Sequence, residues 1–98
     1  MNRSAVLSCL KSHEAELRGL GIASLSLFGS TARGEAGPAS DIDIAATFEK
    51  SARVGLFRFA TITDRLGAIL GTKVDLVGEP ARKAHFQAEI DRDRARVF

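Results

Sequence analysis

The hydrophobic positions of the first twenty residues fall at helical spacing. Val6, Leu10, His13, Leu17 and Leu20 step by four, three, four and three, which lines one face of a helix predicted over 4–19. Ser4 stands where a cap belongs, and Gly19 and Gly21 punctuate the end. His13 on that stripe reads as a half-buried, hydrogen-bonded histidine, and Cys9 beside it as a small core filler. The pattern then changes. In 22–28, Ile-Ala-Ser-Leu-Ser-Leu-Phe, small or polar residues alternate with apolar ones, which predicts a strand. Gly29-Ser30 stops it, a short helix over 30–34 follows, and Gly37-Pro38 marks a loop over 34–40.

Residues 41–48 predict the second strand. A long helix over 52–70 comes next, with Phe59, Ile62, Leu66 and Ile69 on one face, Ser51 as its cap and Gly71 at its end. Residues 73–77 predict a third strand, Gly78-Glu79-Pro80 a break, and 81–93 a last helix with Phe86 and Ile90 inward. The charge run Glu89 to Arg96 reads as a solvated helix face. Val97-Phe98 needs a neighbour to cover it. Helices alternate with strands, so the class is α/β (α+β) around one short sheet. This little chain cannot cover both faces well, so helices are expected mainly on one face and chemistry on the other.

Composition narrows the picture modestly. Ninety-eight residues suit one domain over 1–98, and 45% hydrophobic with 27% charged residues is ordinary for a globular chain. A net charge of +2 is too weak to argue for direct nucleic-acid binding. The single cysteine excludes an internal disulfide and a cysteine-rich zinc site, and fits a reducing compartment such as the cytoplasm. No apolar run approaches the roughly 18 residues of a membrane span.

The chemistry lies in the acidic residues. Asp41 and Asp43 are separated by one residue on a predicted strand, so both carboxylates point to one face while Ile42 and Ile44 enter the core. Two like charges this close repel unless a cation lies between them. Magnesium suits the pair, because it accepts one or two carboxylates and keeps positions for water and phosphate. Asp75 occupies the polar face of Lys73-Val74-Asp75-Leu76-Val77. If that strand neighbours the first aspartates, the three carboxylates converge, and two ions about 3.5–4 Å apart could clamp an in-line displacement. Asp75 also stands where a general base is needed. Gly29 lets the backbone come close to a ligand, and Ser30 opens a short helix with free N–H groups and a hydroxyl for phosphate.

A glycine-serine turn is common, and so is Asp-x-Asp on a strand. Together, Gly29-Ser30, ten intervening residues and Asp41-Ile42-Asp43 resemble the signature of the nucleotidyltransferase superfamily related to DNA polymerase beta. The longer strings Gly29-Ser30-Thr31-Ala32-Arg33-Gly34 and Ser40-Asp41-Ile42-Asp43-Ile44 closely resemble the minimal nucleotidyltransferases of prokaryotes over roughly residues 20–80. Phe28 and Val74-Asp75-Leu76 also suit the family. The resemblance implies a palm-like fold with a short mixed sheet. It implies that Gly29 and Ser30 hold the β and γ phosphates, that Asp41 and Asp43 bind two magnesium ions, and that Asp75 binds the catalytic one. Arg33 matches a family arginine, for phosphate contact or a structural ion pair, and Ser40 supports the first aspartate locally.

Many such domains accompany a HEPN-domain toxin, an RNA-cleaving helical protein. The resemblance implies an antitoxin that transfers AMP from ATP to a tyrosine of that toxin. Relatives that modify small molecules or nucleic-acid ends carry a further domain for the acceptor, so a macromolecular acceptor or a second copy is expected here. The chain contains no tyrosine, so a tyrosine acceptor must lie in another chain. Two alternatives stay open on sequence: a non-catalytic module that neutralises its partner by occlusion, and a small-molecule or RNA transferase completed by another subunit. The base of the nucleotide and the oligomeric state are equally open.

Overall fold

The computed structural model describes residues 2–35, 37 and 41–98. Ser40 and Pro38, both singled out by sequence, lie outside the described residues. The chain runs α1 (Arg3–Ser12), α2 (Glu14–Gly19), β1 (Ile22–Phe28), α3 (Gly29–Ala32), β2 (Ile42–Phe48), a 3₁₀ turn (Lys50–Ala52), α4 (Leu56–Leu70), β3 (Val74–Gly78), α5 (Ala84–Asp93) and β4 (Ala95–Arg96). The sheet order is β3-β2-β1-β4. β1 is antiparallel to both β2 and β4, and β2 is parallel to β3, so the sheet is mixed.

Alternation along each strand sorts residues between two faces. Leu25 and Leu27 of β1 and Ile42, Ile44 and Ala46 of β2 join Val6, Leu10, Leu17, Ile62, Leu66 and Leu70 of the helices in the main core. α1, α2 and α4 therefore cover one face, as the alternation of apolar residues predicts. The other face carries a smaller cluster of Phe28, Ala45 and Ile90, so α5 covers part of it. The rest of that face is left to the aspartates.

Several boundaries differ from the sequence reading, each for a local reason. The first helix is two helices, broken at His13 (φ −104°, ψ 14°). Ser12 Oγ donates to the Cys9 carbonyl at 2.6 Å, and His13 Nδ1 lies 2.9 Å from the same oxygen. Side chains thus compete with the backbone for that acceptor. Asn2, not Ser4, caps α1, its side chain accepting from the Ala5 N–H at 2.8 Å. Ser51 lies in the 3₁₀ turn, and Gly55 precedes α4 in its place. Gly71 does end α4, in the left-handed region at φ 67°.

The charge run is not one solvated face. α5 ends at Asp93, and the chain then enters the short strand β4 beside β1. Val97 and Phe98 find their neighbour in β1. The N–H of Val97 donates to the Leu25 carbonyl at 2.8 Å, and that of Leu25 to the Phe98 carbonyl at 3.0 Å. The Arg18 guanidinium lies 4.6 Å from the Phe98 ring centroid.

Candidate active site

β2 sits between β1 and β3, and Asp43 sits in its first turn of alternation. Its partner across the antiparallel pair is Phe28, the residue before Gly29, and its partner across the parallel pair is Asp75. Residues in register on neighbouring strands share a face, with backbones about 4.8 Å apart. Asp43 therefore stands between the bend after β1 and the Asp75 carboxylate. Asp43 is half-buried and Asp75 exposed.

Gly29 adopts φ +70°, the left-handed region that favours glycine. A Cβ built there would lie 2.3 Å from Asp43 Oδ2 and 3.2 Å from its Cγ. The glycine is thus needed twice, for its backbone angle and for the space Asp43 fills. After it, α3 folds back: the Arg33 N–H donates to the Gly29 carbonyl at 3.2 Å, and the Glu35 N–H to the Ser30 carbonyl at 2.8 Å. Ser30 is half-buried, and its hydroxyl has no hydrogen bond among the described residues. Thr31 is buried, and its Oγ1 is the one buried side-chain polar atom left without a partner among the described residues.

Asp41 lies one residue ahead of β2, beside Lys73 at the start of β3; the Ile42 N–H donates to the Lys73 carbonyl at 3.1 Å. Its carboxylate is half-exposed, and Lys73 Nζ stands 3.8 Å from its Oδ2. That lysine was not singled out in the sequence. Its signal was there: two residues before Asp75, as Asp41 is two before Asp43.

The electrostatics follow from this packing. Burial raises the Asp43 carboxyl above the ordinary aspartate value. The nearby Asp75, Asp41 and Glu89 charges raise it further, and only Arg33 opposes them. Glu89 on α5 is thus a fourth carboxylate near enough to act on Asp43, which the sequence reading placed on a solvated surface. Asp43 is short of positive charge, which is what a divalent cation would supply.

Among the described residues, no three acidic, histidine or cysteine side chains close into a finished metal cage. Asp43 and Asp75 share one face in register, whereas Asp41, one residue ahead of β2, pairs with Lys73. Such an oxygen set, open on one side, fits magnesium. That ion takes one or two carboxylates and keeps water and phosphate in its other positions.

Arg33 is engaged structurally. Its guanidinium donates to Asp93 at 2.7 Å and to Glu35 at 2.9 Å, tying α5 to the bend after β1. Of the two roles open on sequence, the ion pair is the one the structure contains. His13, half-buried and bonded to the Cys9 carbonyl, lies on α1's side of the sheet and takes no part in the site. No helix among the described residues is long and apolar enough to cross a membrane.

Three comparisons bear on this geometry. Residues 10–97 match the family model described as nucleotidyltransferase domain. The protein adenylyltransferase MntA of Thermococcus cleftensis is 37% identical over 87 residues, which cover 88% of this chain and 86% of that protein. A solved candidate minimal nucleotidyltransferase superposes with a TM-score of 0.80 at 26% identity, covering 97% of this chain and 95% of that one. An MNT antitoxin structure, solved in complex with a tri-AMPylated HEPN toxin of Shewanella oneidensis, shares the fold. Its TM-score is 0.68 at 18% identity, with 94% of this chain and 71% of that one covered. With the family model spanning nearly the whole chain, and with Asp43 and Asp75 in register beside the bend at Gly29, the chain belongs to the nucleotidyltransferase domain family and is a nucleotidyltransferase.

Proposed function

We propose that this enzyme transfers AMP from magnesium-bound ATP to a tyrosine of a HEPN-domain partner protein in the cytoplasm, and so acts as its antitoxin. The observation that carries the reading is the register of Asp43 with Asp75 beside the Gly29-Ser30 bend. A relative that covers most of the chain is named a protein adenylyltransferase, and a protein of the same fold was solved with an AMP-modified HEPN toxin. Both support this acceptor class.

Asp41, Asp43 and Asp75 would hold two magnesium ions. When bound, these would neutralise the triphosphate and polarise its α-phosphoryl group. The chain's own groups do the rest. The free Ser30 hydroxyl donates to a phosphate oxygen at the open bend beside Gly29. Asp75, exposed at the edge strand, accepts the proton of the acceptor hydroxyl as its oxygen attacks the α phosphorus and pyrophosphate leaves. Asp43, half-buried and flanked by like charge, anchors the cluster. With no tyrosine of its own, the enzyme cannot be its own tyrosine acceptor.

The test is mass spectrometry of a HEPN-domain protein co-expressed with this enzyme. The expected result is one or more adenylylated tyrosines, absent when Asp43→Asn is co-expressed instead. An unmodified partner that is nonetheless neutralised would favour simple occlusion.

A further inference from the structure

β3 is the edge strand of the sheet, and a groove of about 550 Å³ runs beside it between α4 and α5. Phe59, Leu76 and Gly78 contribute its apolar wall, and Arg82, Lys83 and Phe86 its far side. Phe86, which lines the groove, is 39% exposed, and Leu56 at the start of α4 is 81% exposed. Leu56 precedes Phe59 by three residues, so both lie on one flank of α4. Apolar surface of this kind, open to water and grouped, marks a binding surface rather than chance exposure.

Charge identifies the occupant. Arg82 and Lys83 line the groove, and no acidic residue does. Neither cation has a carboxylate partner among the described residues. A second copy would bring the same cations onto this face, and like charges would repel. An acidic partner would gain from both.

We infer that this groove docks a segment of the acceptor protein that carries apolar side chains flanked by aspartate or glutamate. The inference rests on the reading that the acceptor is a protein. It explains how a chain this small holds one. Val77, which lines the groove, is two residues from Asp75 on the same strand and shares its face, a span of about 7 Å. An acceptor seated in the groove therefore lies within reach of the Asp75 carboxylate.

A random peptide library displayed on phage, selected against the intact enzyme without nucleotide, tests this. Enriched peptides should be acidic with interspersed Leu, Ile or Phe. Their binding should fall about tenfold or more in the variant Leu56→Ser/Phe86→Ser, and again in Arg82→Glu/Lys83→Glu. Both variants change exposed residues outside the aspartate cluster, so their melting temperature and magnesium-ATP binding should match wild type, which verifies the fold. Enrichment of neutral or basic peptides, no enrichment, or binding indifferent to both variants would overturn the proposal. So would tight binding of a short single-stranded RNA that only the charge variant abolishes, which would assign the face to nucleic acid. A concentration-dependent dimer lost in Leu56→Ser/Phe86→Ser would assign it to a second copy. The selection contains no nucleotide and so reads docking apart from catalysis: peptide binding as expected, with no AMP transfer to an acceptor protein once magnesium-ATP is supplied, would sink the proposed activity and leave the groove standing.

Discussion

The carboxylate of Asp43 fills the space that a side chain on Gly29 would occupy, 2.3 Å from where its Cβ would stand. The bend at Gly29 and the carboxylate of Asp43 are therefore one packed unit, although fourteen positions apart in the chain. Gly34 has almost the same backbone angle, φ +74° against +70°, but open space around it. The two glycines make a matched pair. Gly34→Ala should cost about 1–2 kcal/mol of stability, the left-handed penalty alone, with transfer activity kept. Gly29→Ala should cost more and abolish activity. Thermal melts beside turnover assays check this; equal losses in both variants would deny the contact any role.

The Asp43 carboxyl is raised above its unfolded value by burial and by Asp75, Asp41 and Glu89. A raised carboxyl stabilises the fold while protonated, below the ordinary aspartate range, and that contribution is lost as pH rises through its folded value. At neutral pH without divalent ions, Asp43→Asn should thus melt higher than wild type. The gap should close as pH drops below about 4. Magnesium with nucleotide should raise the wild-type melting temperature and leave the variant nearly unmoved. Melting curves across pH, with and without magnesium, measure all three.

Thr31 buries a hydroxyl without a partner. Thr31→Val removes it at nearly constant shape, which should stabilise the free enzyme by about 1 kcal/mol. For a domain of this size that is roughly 4–8 °C in melting temperature. A lower melting temperature would show that the hydroxyl is satisfied in solution.

Asp93 is held at about 2 by hydrogen bonds from Arg92, with Arg33 adding a second set. Its folded value lies below the unfolded one, so it stabilises the fold above the ordinary aspartate range. That contribution is lost as pH falls through about 2. Arg33→Ala removes one of its two partners. It should melt lower than wild type at pH 5–8, with the difference shrinking toward pH 2. Weaker ATP binding without loss of stability would instead return Arg33 to the phosphates.

These relationships divide into those a sequence can show and those it cannot. Period-two alternation in 22–28 and the 3.6 period in Phe59, Ile62 and Leu66 announce their elements locally. The motif Gly29-Ser30 with Asp41-Ile42-Asp43 announces the site for the same reason, because both halves are short and contiguous. β4 is two residues long and exists only because β1 lies beside it, so no local pattern marks it. The Arg33–Asp93 pair joins residues sixty positions apart. Glu89 comes near Asp43 only because α5 folds over the sheet, and the break at His13 depends on which side chains reach one carbonyl. Strand register, which sets Asp43 beside Asp75, is likewise a property of the assembled sheet.

The most direct test of the account is transfer of label from [α-³²P]ATP to a purified HEPN-domain partner. The account predicts incorporation by wild type in millimolar magnesium, and a fall of about 100-fold or more in Asp43→Asn, since several kcal/mol of charge stabilisation are removed. Equal labelling by the two enzymes, or labelling that persists in chelator, would contradict it.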